Sequence, residues 1–111
     1  MSKLVFTVES TGKQMTAEFS RDTVASMEDR GITPEKVADK PLNGIPLFFH
    51  WAFKMNHPKV KRDETDELWE GLSSDDKKAV ISRLMEMWQE AQDTLMAGPE
   101  DESKKVKWEI G

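Results

Sequence analysis

The sequence contains no cysteine in its 111 residues. That absence excludes disulfide bonds and thiolate metal ligands, and it is typical of a protein that works in a cytoplasm. Long apolar runs are also absent, because no stretch approaches the roughly 20 apolar residues that a membrane-spanning helix needs. The N-terminal segment MSKLVFTVES has neither a long apolar core nor a small-residue cleavage site, so we expect no signal peptide.

Positive charge is outnumbered in this chain. The sequence has 16 lysines and arginines against 21 aspartates and glutamates, which gives a formal net charge of −5. An acidic protein repels nucleic acid and anionic lipid over long range, so we expect neither as a partner. The basic stretch from Lys59 to Arg62 is too short to form a nucleic-acid face.

The chain has one strongly apolar segment, Ile45–Phe53, with the sequence IPLFFHWAF. His50 is its only plainly polar side chain. The segment is apolar on every face, so it is either a buried helix or a surface that waits for a partner. We expect the helix to begin after a cap at Asn43, to run from Ile45 to about Asn56 and to end before Pro58.

The remaining periodicity predicts one α+β domain over residues 1–98, with an N-terminal β-hairpin packed on a mainly helical core. Strand patterns lie on both sides of the Thr11–Lys13 turn. Helix signals follow: a cap at Ser20 with a stop at Gly31, Pro34 at a first helical position, an acidic helix from Asp63 to Leu72, and a long helix from Ser73 or Ser74 to Ala97. The expected inner stripe of the long helix is Ile81, Leu84, Trp88, Ala91 and Leu95. The side chains that we expect to be largely buried are Phe6, Phe19, Phe49, Phe53, Leu84 and Trp88.

Residues 99–111 read as an acidic tail that ends in a different pattern. Val106, Trp108 and Ile110 alternate with Lys107 and Glu109, which is the period of a β-strand. We therefore expect residues 106–110 to dock as a short strand, on the hairpin or on a neighbouring subunit.

No arrangement of residues for catalysis or metal binding is recognisable. His50 and His57 lie seven residues apart, which is about 10 Å along an unbroken helix and too far for one zinc ion. The acidic block from Asp63 to Asp76 reads as a solvated helix face, because nothing in it points to a carboxyl group with a raised pKa. We therefore expect no enzyme activity, no metal and no cofactor.

Methionine and aromatic side chains exceed what one inner stripe needs. Seven methionines, five phenylalanines and four tryptophans serve this single domain. A core position is the usual reading of such residues, but methionine also adapts to varied apolar partners. The residues that we expect to contact another chain are Met85, Met87, Trp88 and Met96, with Trp51 and Met55 of the apolar helix as a second candidate.

The layout of the whole chain resembles a family of small proteins from phages and prophages of Gram-positive bacteria, grouped with the tail assembly chaperones of long-tailed phages. The segments that carry the resemblance are FSRDTVASMEDRG, the apolar block from Leu47 to Phe53 and the closing Trp108-Glu109. None of them is a catalytic signature.

The resemblance implies a role in the host cytoplasm. Such chaperones bind the long helical tape measure protein, keep it soluble and help tail tube proteins to assemble around it. In many long-tailed phages a second, longer form arises by programmed frameshifting. The resemblance supplies no site residues. A small phage-encoded interaction or regulatory module without catalytic activity remains the alternative, and the oligomeric state, including a homo-oligomer, is left open.

Overall fold

The computed structural model describes residues 2–97 and 106–110. An antiparallel hairpin comes first and helices follow, so the predicted α+β class is confirmed. The described elements are β1 (Lys3–Val8), β2 (Lys13–Glu18), α1 (Arg21–Asp29), α2 (Pro34–Asp39), α3 (Pro41–Trp51), α4 (Arg62–Glu70) and α5 (Ser74–Met96).

Local sequence signals set most of the helix ends. The Ser20 side chain accepts a hydrogen bond from the Thr23 backbone N–H and caps α1. Gly31 has a φ of 71°, the left-handed conformation that ends a helix and that glycine adopts without a steric penalty. Thr33 caps α2 in front of Pro34, and Ser73 caps α5 through the N–H of Asp76. These ends agree with the prediction.

The boundaries of the apolar helix differ from the predicted ones. Helix α3 begins at Pro41 and ends at Trp51, so Asn43 lies inside it and Pro46 occupies its middle. Proline has no N–H to donate to the carbonyl four residues earlier, which belongs to Leu42. Leu42 is 91% exposed, so water can hydrate that carbonyl in place of the missing bond. After Trp51 the chain continues in turns rather than as helix.

An aromatic cluster forms the centre of the core. The ring of Phe6 on β1 meets those of Phe49 and Phe53 at 5.6 and 5.5 Å. On the α5 side, the ring of Phe48 lies 5.4 Å from Phe19 and 5.5 Å from Trp88. All six side chains that the sequence placed in the core are buried. The hairpin therefore packs on the helices through aromatic rings, as expected from its apolar face.

The outer edge of β2 is covered by the chain that follows α3. The Thr16 N–H donates to Nε2 of His57 at 3.0 Å, and the Glu18 N–H donates to the carbonyl of Ala52 at 2.8 Å. The Asn56 amide also donates to the Glu18 carboxylate at 3.1 Å. The first two contacts satisfy backbone N–H groups that would otherwise be open at that edge.

Residues 106–110 form neither a helix nor a strand, and their side chains are exposed. Within this single chain they do not pair with the hairpin, and their docking on another chain stays a prediction. The predicted helix stop at Gly98-Pro99 and the tail from 99 to 105 lie outside the described residues.

Candidate binding surface

The accessible part of the predicted contact set lies on one face of α5. Met85, Gln92 and Met96 are spaced seven and four residues apart, which places them on the same side of a helix. Gln89 lies between them on that side. A groove of about 420 Å³ runs along this face, between α5 and the start of α2, where Pro34 forms part of its wall.

The C-terminal end of this face is uncovered in the described chain. Leu95 and Met96 are 68% and 86% exposed, on the last turn of α5. Arg21 reaches this end of the helix, since its guanidinium donates to the carbonyl of Thr94 at 3.3 Å. The packed core stops at Ala91, one turn earlier. The two side chains are adjacent in the sequence, so a partner that packs on this end of α5 would cover both of them.

The prediction for Leu95 is wrong, because its side chain is exposed. It was expected on the inner stripe, and it lies outside because α5 extends one turn past the elements that cover it. Met87 takes its place in the buried set, at three residues from Leu84 and four from Ala91. The exchange follows from which side of α5 the helices α1 and α3 cover, and the 3.6-residue period alone does not fix that side.

The predicted contact residues Met87 and Trp88 are not accessible to a partner. Both are buried, at 2% and 3% exposure. The ring of Trp88 packs against Phe19 and Phe48 in the core, although its edge also reaches the floor of the α5 groove. A partner can reach Met85 and Met96 without unfolding the domain, but it cannot reach Met87.

The second candidate, at the end of α3, is partly available. The ring of Trp51 lies under two cations, with the guanidinium carbon of Arg30 at 5.0 Å and Nζ of Lys54 at 5.6 Å from its centroid. Both cation–π contacts cover part of the ring, and the one from Arg30 joins the end of α1 to α3. Met55 is exposed in the turn beyond. Of this pair, Met55 is the side chain that a partner could meet first.

The buried polar side chains bond to each other and link two helices. Among the residues that the structure describes, the buried polar ones are His50 and Thr65, and Nδ1 of His50 lies 2.9 Å from Oγ1 of Thr65. Burial, followed by the charges of Lys54 and Arg62, lowers the pKa of His50. The neutral form of the imidazole is therefore favoured over the charged form, and the ring packs between α3 and α4.

The acidic block on α4 is a charged surface. Hydrogen bonds from the Lys61 backbone N–H and from Lys13 lower the pKa of Glu64, which keeps that carboxylate ionised. Arg62 forms an ion pair with Asp66 at 2.9 Å. Within residues 2–97 and 106–110, no group of three or more histidine, aspartate or glutamate side chains could hold a metal ion. No helix in the same residues is both long and apolar enough to cross a membrane.

Comparison with known proteins gives one match. A family described as "Domain of unknown function (DUF5055)" matches residues 1–111, and the chain belongs to this family. No curated protein and no solved structure matches it. The family description carries no activity, ligand or partner, so the case for a function depends on the surface described above and on the layout of the sequence.

Proposed function

We propose that this member of the DUF5055 family is a binding protein that holds an apolar helical segment of another protein in solution. One observation carries the proposal: Leu95 and Met96 are exposed at the end of α5, and no part of the chain that the structure describes covers them. Met85 and the groove beside it continue that face along the helix. An amphipathic helix laid against such a face would bury these side chains, which is a recurring mode of peptide recognition.

The chemistry of the face suits a helical partner of varied sequence. Methionine has a flexible, polarisable side chain that adapts to different apolar shapes. Gln89 and Gln92 can exchange hydrogen bonds with polar groups along the margin of a bound helix. On the opposite wall, Glu28 and Glu35 add negative charge, which favours a partner with a basic flank.

The partner that we propose is a phage tape measure protein. This identity is supported by the resemblance of the sequence layout to tail assembly chaperones. In this role the chain would act in the cytoplasm of the bacterial host, without catalysis, and would keep the tape measure protein soluble while tail tube proteins assemble around it. A long reading frame for a helical protein, placed directly downstream of the gene, would support the assignment.

Co-purification tests the contact face. A tagged chain is expected to retain the tape measure protein at low and at high salt, because apolar contacts are little screened by ions. Replacing Leu95 and Met96 together by lysine should abolish this retention. Lysine suits the C-terminal end of a helix, so the fold should persist.

The matched control is Leu42→Lys, which changes an exposed leucine on a different helix. We expect this variant to retain the partner as the parent chain does. If both variants lose the tape measure protein equally, or if the double variant retains it fully, then Leu95 and Met96 do not form the contact.

A further inference from the structure

The hairpin has one covered edge and one open edge. Thr16 and Glu18 direct their backbone groups away from β1, towards the chain after α3. Their partners in the hairpin register are Val5 and Lys3. In an antiparallel pair, residues opposite such positions also point their N–H and C=O groups outward, on the other side. The backbone groups of Lys3, Val5 and Thr7 therefore face the outer edge of β1, where they bond to no described residue.

A groove of about 670 Å³ adjoins this edge, between β1 and the junction of α4 with α5. Phe6, Val8 and Leu72 supply apolar surface within it. Glu9, Glu67 and Asp76 supply negative charge along it. The open edge is thus bordered by a cleft that would accept apolar side chains on one side and would attract a basic segment.

The C-terminal segment of the chain has matching chemistry. Val106, Trp108 and Ile110 alternate with Lys107 and Glu109. In the described structure all three apolar side chains are exposed, and Trp108 is 80% exposed. Two lysines precede the segment in the sequence, so it enters with positive charge. An exposed strand pattern and an open strand edge are complementary in hydrogen bonding.

We propose that residues 106–110 of a second copy add to β1 as a third, antiparallel strand, and that two copies exchange these segments. In this register Val106 lies opposite Val8, Trp108 opposite Phe6, and Ile110 opposite Leu4. The apolar side chains then share the core-facing side of the sheet, and Trp108 enters the groove beside Phe6.

Charge selects the antiparallel direction. In that direction Lys107 lies diagonal to Glu9 and Glu109 lies diagonal to Lys3, so both diagonals join opposite charges. A parallel strand with the same apolar residues inward would place Lys107 diagonal to Lys3 and Glu109 diagonal to Glu9. Both diagonals would then join like charges, which disfavours the parallel arrangement.

Chain length favours a second copy over the chain's own tail. An antiparallel strand must enter at the end of β1 that lies beside Asp76. Helix α5 carries the chain from Asp76 to Ala97, 21 residues later, which is about 31 Å at the helical rise. The nine steps from Ala97 to Val106 extend at most about 30–32 Å. The chain's own tail would reach only when fully stretched, whereas the tail of a second copy has no such constraint.

Analytical ultracentrifugation of the full chain tests the proposal. We expect a mass of two chains, a dissociation constant raised about tenfold or more by Val5→Pro, and a similar or larger rise on deletion of residues 106–111. Proline removes an edge N–H that faces outward, so the monomer fold should tolerate it. Val5→Thr keeps that N–H and serves as the control, with dimerisation expected to match the parent chain.

Mixing the two defective chains gives the decisive result. The deleted chain keeps an intact edge and the Val5→Pro chain keeps an intact tail, so differently tagged versions should associate with each other better than either does with itself. If Val5→Pro fails to fold, Glu9→Lys should weaken the dimer, and adding Lys107→Glu should restore it. A monomeric parent chain, a dimer indifferent to both changes, or no association in the mixture would overturn the proposal.

Discussion

Nδ1 of His50 and Oγ1 of Thr65, 2.9 Å apart, form the buried polar link between α3 and α4. The Thr65 hydroxyl donates its proton to the carbonyl of Arg62 at 3.1 Å. It therefore accepts from His50, which fixes the imidazole in the form that carries its proton on Nδ1. The second ring nitrogen is left without a proton while the ring is neutral.

This link predicts a loss of stability in mild acid. Burial, and then the charges of Lys54 and Arg62, lower the pKa of His50 from its ordinary value of 6.5, while Asp66 opposes them. The unfolded chain therefore binds a proton at a higher pH than the folded one. Above pH 6.5 the two states carry the same charge at this residue. As the pH falls through 6.5 towards the lowered pKa, the contribution of His50 to the free energy of unfolding falls.

Urea unfolding at pH 7.5 and at pH 5.5 measures the effect. His50→Asn keeps a donor near the position of Nδ1 but cannot be protonated, so the drop between the two pH values should be smaller than in the parent chain. Carboxylates elsewhere titrate equally in both proteins, and the difference between the two drops isolates His50. Equal drops would show that His50 does not carry the acid sensitivity.

The aromatic cluster predicts large core penalties. Phe49 and Phe53 are fully buried, with ring centroids 5.0 Å apart. Replacing either by alanine should lower the free energy of unfolding by about 3–5 kcal/mol. The control is Leu42→Ala on α3, which should change it by less than about 0.5 kcal/mol because that side chain is exposed. Chemical denaturation with a shared m-value gives all three figures, and a small effect at Phe49 would contradict the packing described.

Two glycines predict opposite outcomes for the same substitution. A Cβ at Gly44, inside α3, would lie 2.8 Å from the Cα of Val37 on α2. Alanine normally stabilises a helix interior by about 1 kcal/mol over glycine. Here the backbone contact outweighs that gain, so we expect Gly44→Ala to lower the melting temperature.

Gly71 is the matched control, since a Cβ there meets nothing closer than 3.5 Å and its φ of −76° suits alanine. Gly71→Ala should leave the melting temperature unchanged or raise it. A stabilised Gly44→Ala would mean that α2 and α3 are not in close contact at this point.

The contact between the β2 edge and the turn after α3 predicts a moderate loss. His57→Ala removes the acceptor of the Thr16 N–H, and that group is part-buried. An unpaired buried donor costs about 1–3 kcal/mol. The exposed neighbour Lys59→Ala should cost less than about 0.5 kcal/mol. Amide hydrogen exchange should also show faster exchange at Thr16 in the His57 variant, and unchanged exchange there would argue against this hydrogen bond.

Features set by neighbouring residues were predictable from the sequence. The caps at Ser20 and Ser73 and the stop at Gly31 depend on side chains and backbone preferences within a few positions. The hairpin and the buried positions of Phe6 and Phe19 followed from the alternation of the strands, whereas the buried Phe48 was not among the predicted core residues, because its segment is apolar on every face. The start of α3 was not predictable in this way, because Pro46 in its interior argued for a later start, and only the exposure of Leu42 shows how that proline is accommodated.

Features that join distant parts of the chain were not predictable. The partner of His50 lies 15 residues away on another helix, and no local pattern identifies it. The choice between Met87 and Leu95 as core residues depends on which elements cover α5. The open edge of β1 is likewise a tertiary feature, because no described element other than β2 pairs with that strand. For the proposed binding surface, the sequence indicated Met85 and Met96 but placed Leu95 on the inner stripe.

The most direct test of the chaperone role is the soluble fraction of the tape measure protein, expressed alone and together with this chain. We predict that most of it is insoluble alone and moves into the supernatant on co-expression. The Leu95→Lys, Met96→Lys double variant should leave it in the pellet, whereas Leu42→Lys should act like the parent chain. A tape measure protein that is equally insoluble with and without this chain would contradict the account.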